Sequence, residues 1–394
     1  MKHFASEARR DWRDAQSAVA TALASTAIAR DQAGGVPLHE RRLLRESGLL
    51  TLSIPSALGG FGAPWSDVLG VVQDFARVDS AVAHVFGFHH LLLATAQLFG
   101  QPAQWQPWLE ATVAQRWFWG NALNPLDKGT VATQAPEGHW LFDGRKSFCS
   151  GAGDSDQLLA SAFDASGRLL IAVVPTGREG IRVEGDWDNM GQRQTDSGSV
   201  AFEQVRIPAR ELLLDPGPLS SPFAALRPLL AQLVLAHVYL GLGEGALAEA
   251  RGFTLQHARA WHASGVDQAG EDPYLLGHYG DFWLALEGAG LLAERARALF
   301  DAAWAEGAAL TSEARGDVAI AVAAAKVAAS RAALDVAHRL FEVTGPRATA
   351  AALRMDRFWR NLRVHTLHDP IDYKRRELGR WALHAQPPTP SFYS

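Results

Sequence analysis

Residues 144–163, GRKSFCSGAGDSDQLLASAF, and residues 187–199, WDNMGQRQTDSGS, belong to a stretch of short apolar runs broken by Gly, Asp and Ser, unlike the Ala- and Leu-rich sequence on either side. Runs this brief between turn residues read as strands. Residues 158–163 and 168–175 flank the turn sequence DASG at 164–167, the pattern of a hairpin. Residues 140–148 carry Asp143-Gly144 between runs containing aromatic residues. Asp-Gly tolerates the positive φ of a tight turn, so a second hairpin is expected there. Residues 198–208 put Val200, Phe202 and, after a break in period, Val205 and Ile207 beside polar residues, as in a half-buried strand, and Pro208 ends the run. The centre of the chain thus reads as a small β domain between two helical blocks.

Working outward, residues 4–33 contain no Pro or Gly and favour helix, which Gly34-Gly35 ends. Pro37 suits the first turn of a second helix that closes near Ser47-Gly48. Residues 49–62 are dense in Gly and Pro and read as loop. Two helices follow over 66–78 and 80–99, separated by Asp79-Ser80, which is good capping chemistry; the second carries His84, His89 and His90. Beyond Pro208, residues 222–262, 273–307, 311–344 and 347–362 are long, Ala-rich and amphipathic, enough for a four-helix bundle. Gly241, Gly243 and Gly245 follow a Leu-rich helical run where a dinucleotide loop needs a strand, so they read as small residues that let helices approach. Residues 386–391, QPPTPS, read as a loose tail. The expected division is 1–116 helical, 117–214 β and 215–394 helical, giving an α+β fold that is mostly α.

The 394 residues are 48% hydrophobic and 20% charged, enough for a large core and more than one domain. With 37 basic against 42 acidic residues the net charge is -5, so nucleic acid is not an expected partner. The single cysteine, Cys149, excludes an internal disulfide and any multi-thiolate metal site, and a reducing cytoplasmic setting is expected. The opening MKHFASEARRD is charged where a secretory signal is apolar, so no targeting segment is expected. The most hydrophobic run, 229–242, is interrupted by Gln232 and His237 and is shorter than the roughly 20 apolar residues of a membrane span. It reads as a buried helix.

The stretch DGRKSFCSG, 143–151, resembles the flavin-contacting strand of the acyl-CoA dehydrogenase family, and MGQRQTDSGS, 190–199, running on to VRIP, 205–208, resembles that family's second flavin segment. FCSGA, RQTDSGS and NLRVHTLHDP, 361–370, are closer to the dibenzothiophene monooxygenase branch, and the resemblance spans nearly the whole chain. It implies a three-part acyl-CoA dehydrogenase-like fold: an N-terminal helical domain, a middle β-barrel or sandwich and a C-terminal four-helix bundle. It also implies a homotetramer.

The resemblance places Ser150 at the flavin ring near N5, where a hydroxyl can donate or accept as the redox state changes. Phe148 and Trp187 fall at aromatic positions beside the flavin and pocket, with core packing as the other reading. Thr195 and Ser197 fall in the second flavin segment. Asn121, in GNALNP at 120–125, either bonds the flavin or activated oxygen or caps a turn. His89 or His90 reaches the pocket or is simply packed. Cys149 is expected to turn away from Phe148 and Ser150 as an inert core thiol, and Lys146 and Arg193 to be solvated or paired within the sheet.

In HTLHD, 365–369, no Cys cluster or Glu-x-x-His completes a metal site, and none is expected. The resemblance sets this motif over the flavin, with His368 as the group touching a flavin–oxygen adduct and His365 supporting it. An acyl-CoA dehydrogenase needs a carboxylate base at that place. A monooxygenase needs instead a hydrogen-bond donor and a dry apolar pocket. The resemblance therefore implies a reduced-flavin-dependent monooxygenase, acting through a C4a-hydroperoxyflavin on a small hydrophobic compound, such as an organosulfur one, with O2 and a separate flavin reductase as partners. The alternatives are a dehydrogenase using Glu244 or Glu249 as base, and a non-catalytic flavin-binding protein of the same fold. FMN is expected over FAD because the family's FAD-contacting turns are altered: QHARAWH, 256–262, keeps Arg259 for a terminal phosphate but lacks Phe-Gly, and FEVTGPR, 341–347, has Pro346 in place of a glycine.

Overall fold

A computed structural model describes residues 11–394, so the first seven residues of the helix expected over 4–33 lie outside the described residues. The N-terminal block consists of α1 (Trp12–Ala33), α2 (Leu38–Ser47), α3 (Trp65–Val78), α4 (Ser80–Phe99) and α5 (Pro102–Gln115). Asp79 caps α4, its Oδ1 accepting from the amides of Ala81 and Val82 at 3.0 Å each. Helix α5 escaped the sequence reading because Pro107 sits inside it.

The β strands are β1 (Trp119–Ala122), β2 (Thr130–Gln134), β3 (His139–Lys146), β4 (Gln157–Phe163), β5 (Leu169–Pro175), β6 (Ile181–Val183) and β7 (Val200–Pro208), joined in the order β1-β4-β2-β3-β7-β6 with β5 on β4. The β4–β5 hairpin forms as expected, with Phe163 opposite Leu169. The Asp143-Gly144 hairpin does not. Both residues lie inside β3, where Phe142 faces Val205 and Gly144 faces Phe202, so Glu203 and Gln204 together oppose Asp143. The extra residue on β7 makes a bulge, and the break in period at 203–204 was its trace in sequence. Gly144 is required by crowding as well as by its φ of 123°: a Cβ there would lie 2.1 Å from the Gly129 carbonyl oxygen.

The C-terminal block is α6 (Leu226–His257), α7 (Pro273–Glu306), α8 (Ser312–Thr344), α9 (Asp356–His365) and α10 (Ile371–His384). Helices α6, α7 and α8 pack together, with α3 and α4 against α6. Gly241 and Gly245 set that contact: a Cβ would lie 2.3 Å from the Gln73 oxygen and 2.0 Å from the Arg77 oxygen. Helices α4 and α6 are long and apolar enough to cross a membrane, but both are buried in the fold as core helices. The helix expected over 347–362 is corrected: a short 3-10 turn at Pro346–Thr349 and a left-handed Arg354 delay α9 to Asp356. Residues 386–391 carry no helix or strand, yet the segment is not loose. Pro387 packs on Gly316, and beyond it Phe392 joins the core cluster between α4, α5 and the sheet.

Candidate active site

Three elements from the three blocks meet at Ser150. Residues 147–150 turn away from β3 with Phe148 in left-handed backbone (φ 58°), and the turn is stitched to the 190–199 loop by Cys149 N to Gly198 O (2.8 Å) and Gly151 N to Thr195 O (2.9 Å). That loop is itself held by α9, whose Asn361 Oδ1 accepts from Gln192 N at 2.7 Å, and by α4, whose Ser80 Oγ accepts from Gln192 Nε2 at 3.1 Å. One turn beyond Asn361, His365 reaches back to α4.

The result is a buried chain of hydroxyls and imidazoles. Thr195 Oγ1 donates to the Gln192 carbonyl (3.0 Å) and accepts from Ser197 Oγ (2.7 Å). Ser150 Oγ lies 2.8 Å from Ser197 Oγ; since the Ser197 proton is already committed, Ser150 is the donor. Ser150 Oγ then accepts from His84 Nε2 at 3.0 Å, which leaves His84 Nδ1 to accept from His365 Nε2 at 2.9 Å. Every proton points the same way, from α9 towards the 190–199 loop. Burial pulls His84 down to about 3 and, with the neighbouring His84, His368 and Lys326, holds His365 well below the ordinary histidine value. Both rings are neutral at pH 7, as a one-way chain requires. His365 Nδ1 ends the chain as a buried lone pair with no partner among the described residues. Of the two lone pairs of Ser150 Oγ, one accepts from His84 and the other remains uncommitted.

His84 was the residue that sequence reading passed over. Helical spacing sets Ser80, His84 and Phe88 on one face of α4, with the Phe88 ring 4.1 Å from the His84 ring, but that spacing alone does not say what the face meets. His89, proposed for the pocket, is corrected to a structural role. Its Nε2 bonds the Leu50 carbonyl at 2.8 Å and its Nδ1 accepts from Trp119 N at 3.1 Å, tying the 49–62 loop to β1. His90 likewise binds Ser53 Oγ (2.7 Å) and the Leu49 carbonyl (3.2 Å).

Asn121 caps a turn through Oδ1, which accepts from Leu123 N at 3.1 Å, while its backbone N–H donates to the Ser150 carbonyl at 2.9 Å. Phe148 is 61% exposed, with the Trp187 ring edge-on at 6.1 Å, so these aromatics form an open surface beside Ser150 where core packing was the other reading. Cys149 is buried and its thiol is pushed up to about 12 by that burial, an inert group as expected, though a turn and not strand alternation hides it. Lys146 is corrected from a solvated or sheet-paired cation to a buried one, bonded to the carbonyls of Asn124 and Asp127. Arg193 Nε donates to the Asp31 carbonyl at 2.8 Å and joins the β domain to α1. Arg259 lies past the end of α6, exposed and away from Ser150's partners.

His368 stands outside the relay. Its side chain is 40% exposed and its Nδ1 lies 3.1 Å from Asp369 Oδ1. Asp369 in turn pairs with Lys326, which also binds Gln232. Burial pulls Lys326 down to about 8 against the pull of Asp369. Burial alone would raise Asp369, but its hydrogen bond with His368 and the Lys326 charge hold it well below the usual carboxylate range. The carboxylates suggested as dehydrogenase bases are engaged elsewhere: Glu244 with Arg77 (2.7 Å) and Gln73 (2.9 Å), Glu249 with Arg357 (3.0 Å).

A helical block, a curled sheet and a helical bundle meeting at an imidazole–hydroxyl cluster define a flavoprotein of the acyl-CoA dehydrogenase type. The chain belongs to the acyl-CoA dehydrogenase family, matching the profiles of its N-terminal domain over residues 6–116, its middle domain over 124–205 and its C-terminal domain over 233–373. Within that family its similarity is to monooxygenases. It is 60% identical over 374 residues, 94% of each chain, to the probable FMNH2-dependent monooxygenase SfnC of Pseudomonas putida. The structure of methanesulfinate monooxygenase MsuC from Pseudomonas fluorescens is 60% identical with a TM-score of 0.95, covering 97% of this chain and 99% of that one. FMN-bound TdsC, a dibenzothiophene monooxygenase from Paenibacillus sp. A11-2, is 40% identical with a TM-score of 0.93 over 97% and 100% of the two chains.

Proposed function

We propose that this protein is a reduced-FMN-dependent monooxygenase that transfers one oxygen atom of O2 to a small organosulfur substrate, with FMNH2 delivered by a separate reductase. The observation that carries the reading is the relay ending on Ser150: the buried polar groups there are neutral donors and acceptors, and the carboxylate base of a dehydrogenase is missing among the described residues of the cluster. The 60% identity to an FMNH2-dependent enzyme supports the cofactor.

The residues suit the flavin. Ser150 offers its uncommitted lone pair to an N–H donor such as N5 of the reduced ring, and the exposed Phe148 with the half-buried Trp187 offers aromatic surface beside it. Thr195, Ser197 and the side-chain NH2 of Asn121 complete the polar edge, and Arg259 is assigned to the phosphate of a cofactor shared with a neighbouring subunit. When bound, reduced FMN supplies the two electrons that let O2 divide between product and water. Ser150 fixes the ring edge, held in orientation by His84 and, behind it, His365. His368, oriented by Asp369 and behind it Lys326, is assigned the role of acid on the open side. The buried face around Phe88 excludes water from this work.

The assembly is proposed to be a cytoplasmic homotetramer. Leu276, Trp283, Leu284 and Leu291 are exposed at spacings that align them on one face of α7, an apolar stripe suited to a second copy of the chain. The deciding assay supplies NADH, a flavin reductase, FMN and 18O2, and follows label into sulfinate, sulfide and thiophene substrates. Acyl-CoA-dependent bleaching of bound flavin, with no label in any product, would favour the dehydrogenase reading.

A further inference from the structure

Arg227, the second residue of α6, is 6% exposed. Its Nε donates to Thr95 Oγ1 at 3.3 Å, and the Thr95 proton is spent on the Leu91 carbonyl. Among the described residues, neither terminal nitrogen of Arg227 has a hydrogen-bond partner, and no carboxylate lies within ion-pair distance. The other buried arginines differ. Arg30 pairs with Asp79 and Glu40, Arg41 with Asp196, Arg357 with Glu249, and Arg315 donates to the carbonyls of Ala225, Pro388 and Ser394. The residue is not wholly sealed, keeping 6% of its surface accessible. A buried guanidinium costs several kcal/mol unless an anion meets it. Burial brings it down only to about 10, so it remains a cation at neutral pH.

Its position relates it to the site. Thr95 continues the α4 face that carries His84, Phe88 and Leu91 at helical spacing. Tyr393, close enough to Arg227 for their charges to interact, sets its ring 6.2 Å from that of His368. Arg227 therefore lies between α4 and the returning tail, whose Tyr393 also neighbours His368.

We infer that Arg227 is an anion-binding group that selects a small alkanesulfinate over neutral sulfides and thiophenes. Its planar fork matches two oxygens of one sulfinate, a fit that a neutral aromatic substrate cannot supply. The inference rests on the monooxygenase reading for its chemistry. The sulfur lone pair takes one oxygen atom of O2, the O–O bond breaks, and the other oxygen leaves as water. Sulfinate becomes sulfonate by losing two electrons, and the reduced flavin, which gives the other two with two protons, ends oxidised.

Binding is testable without turnover. Methanesulfinate is titrated into the protein loaded with oxidised FMN and followed by saturation-transfer NMR of its methyl group, for the parent, Arg227→Lys and Arg227→Met. Loss of a charge-assisted pair predicts binding weaker by about 10- to 100-fold in Arg227→Met. Arg227→Lys falls between, FMN affinity is unchanged, and dimethyl sulfone binding, if present, is unaffected. Inorganic sulfate should compete with methanesulfinate on the unaltered protein, which keeps the test open if Arg227→Met does not fold. Equal methanesulfinate affinity in a folded Arg227→Met, or no binding to the parent, overturns the inference. Arg227-dependent binding without 18O incorporation would sink the monooxygenase reading and leave the anion site standing. Label entering only neutral substrates would do the reverse.

Discussion

Ser150 is placed by a turn but aimed by its neighbours. Its hydroxyl is a donor to Ser197 only because Thr195 and Gln192 fix the proton of Ser197, and an acceptor from His84 only because His365 fixes the tautomer of His84. Ser150→Ala should leave the fold intact while lowering product formed per NADH and raising hydrogen peroxide, measured together in the reductase-coupled assay; an unchanged ratio refutes the role. His368→Phe keeps an aromatic shape and removes a positioned acid, which predicts a fall in kcat/KM of about 10²–10⁴-fold. His365→Phe, acting through His84, should cost less. Ser150 was legible as a residue because a resemblance pointed to it. His84 was not, since nothing in its own sequence context says that α9 and the turn after β3 converge on it.

At the scale of elements, the 365–369 segment depends on a buried ion pair. Lys326 on α8 holds Asp369, which holds His368, while Tyr239 on α6 donates to the His365 carbonyl at 3.0 Å. Lys326→Met leaves Asp369 largely buried without its counter-charge. The expected loss is about 3–5 kcal/mol in urea unfolding, and Asp369→Asn in the same chain should restore part of it. A double variant no more stable than Lys326→Met alone would exclude the pair as the cause. The long helices were legible from composition and caps. The Asp143-Gly144 turn was misread because local preference for positive φ serves a bulge as well as a hairpin, and only pairing with β7 chooses between them.

At the scale of the molecule, five buried histidines among the described residues set the acid limit of stability. Burial pulls His84 and His237 down to about 3 and His89 to about 4, and lowers His90 and His365 well below the ordinary value. In each case the unfolded chain takes up a proton near pH 6.5 that the folded chain refuses until far lower. Stability is therefore intact above the unfolded value and falls as pH drops below it, by up to about 1.4 kcal/mol per pH unit for each histidine. Tm measured from pH 8 to 5 should stay level and then decline steeply below about pH 6; a flat profile would mean these rings are protonated in the fold. The α7 stripe gives a second molecular prediction. Leu284→Glu with Leu291→Glu should reduce the mass seen by light scattering without changing helix content, and an unchanged mass would move the interface elsewhere.

The sequence by itself determined the α+β layout, the buried character of α6, and the close helix approach at Gly241 and Gly245. These follow from periodicity, propensity and side-chain size, which act over a few residues at a time. Only the tertiary structure decided which histidine meets Ser150, which way the protons run, that His89 is structural, and that the terminal nitrogens of Arg227 find no partner among the described residues. Each of those is a hydrogen-bond or charge balance between residues tens to hundreds of positions apart. His84 and His365, 281 residues apart in the chain and 2.9 Å apart in space, are the measure of that distance.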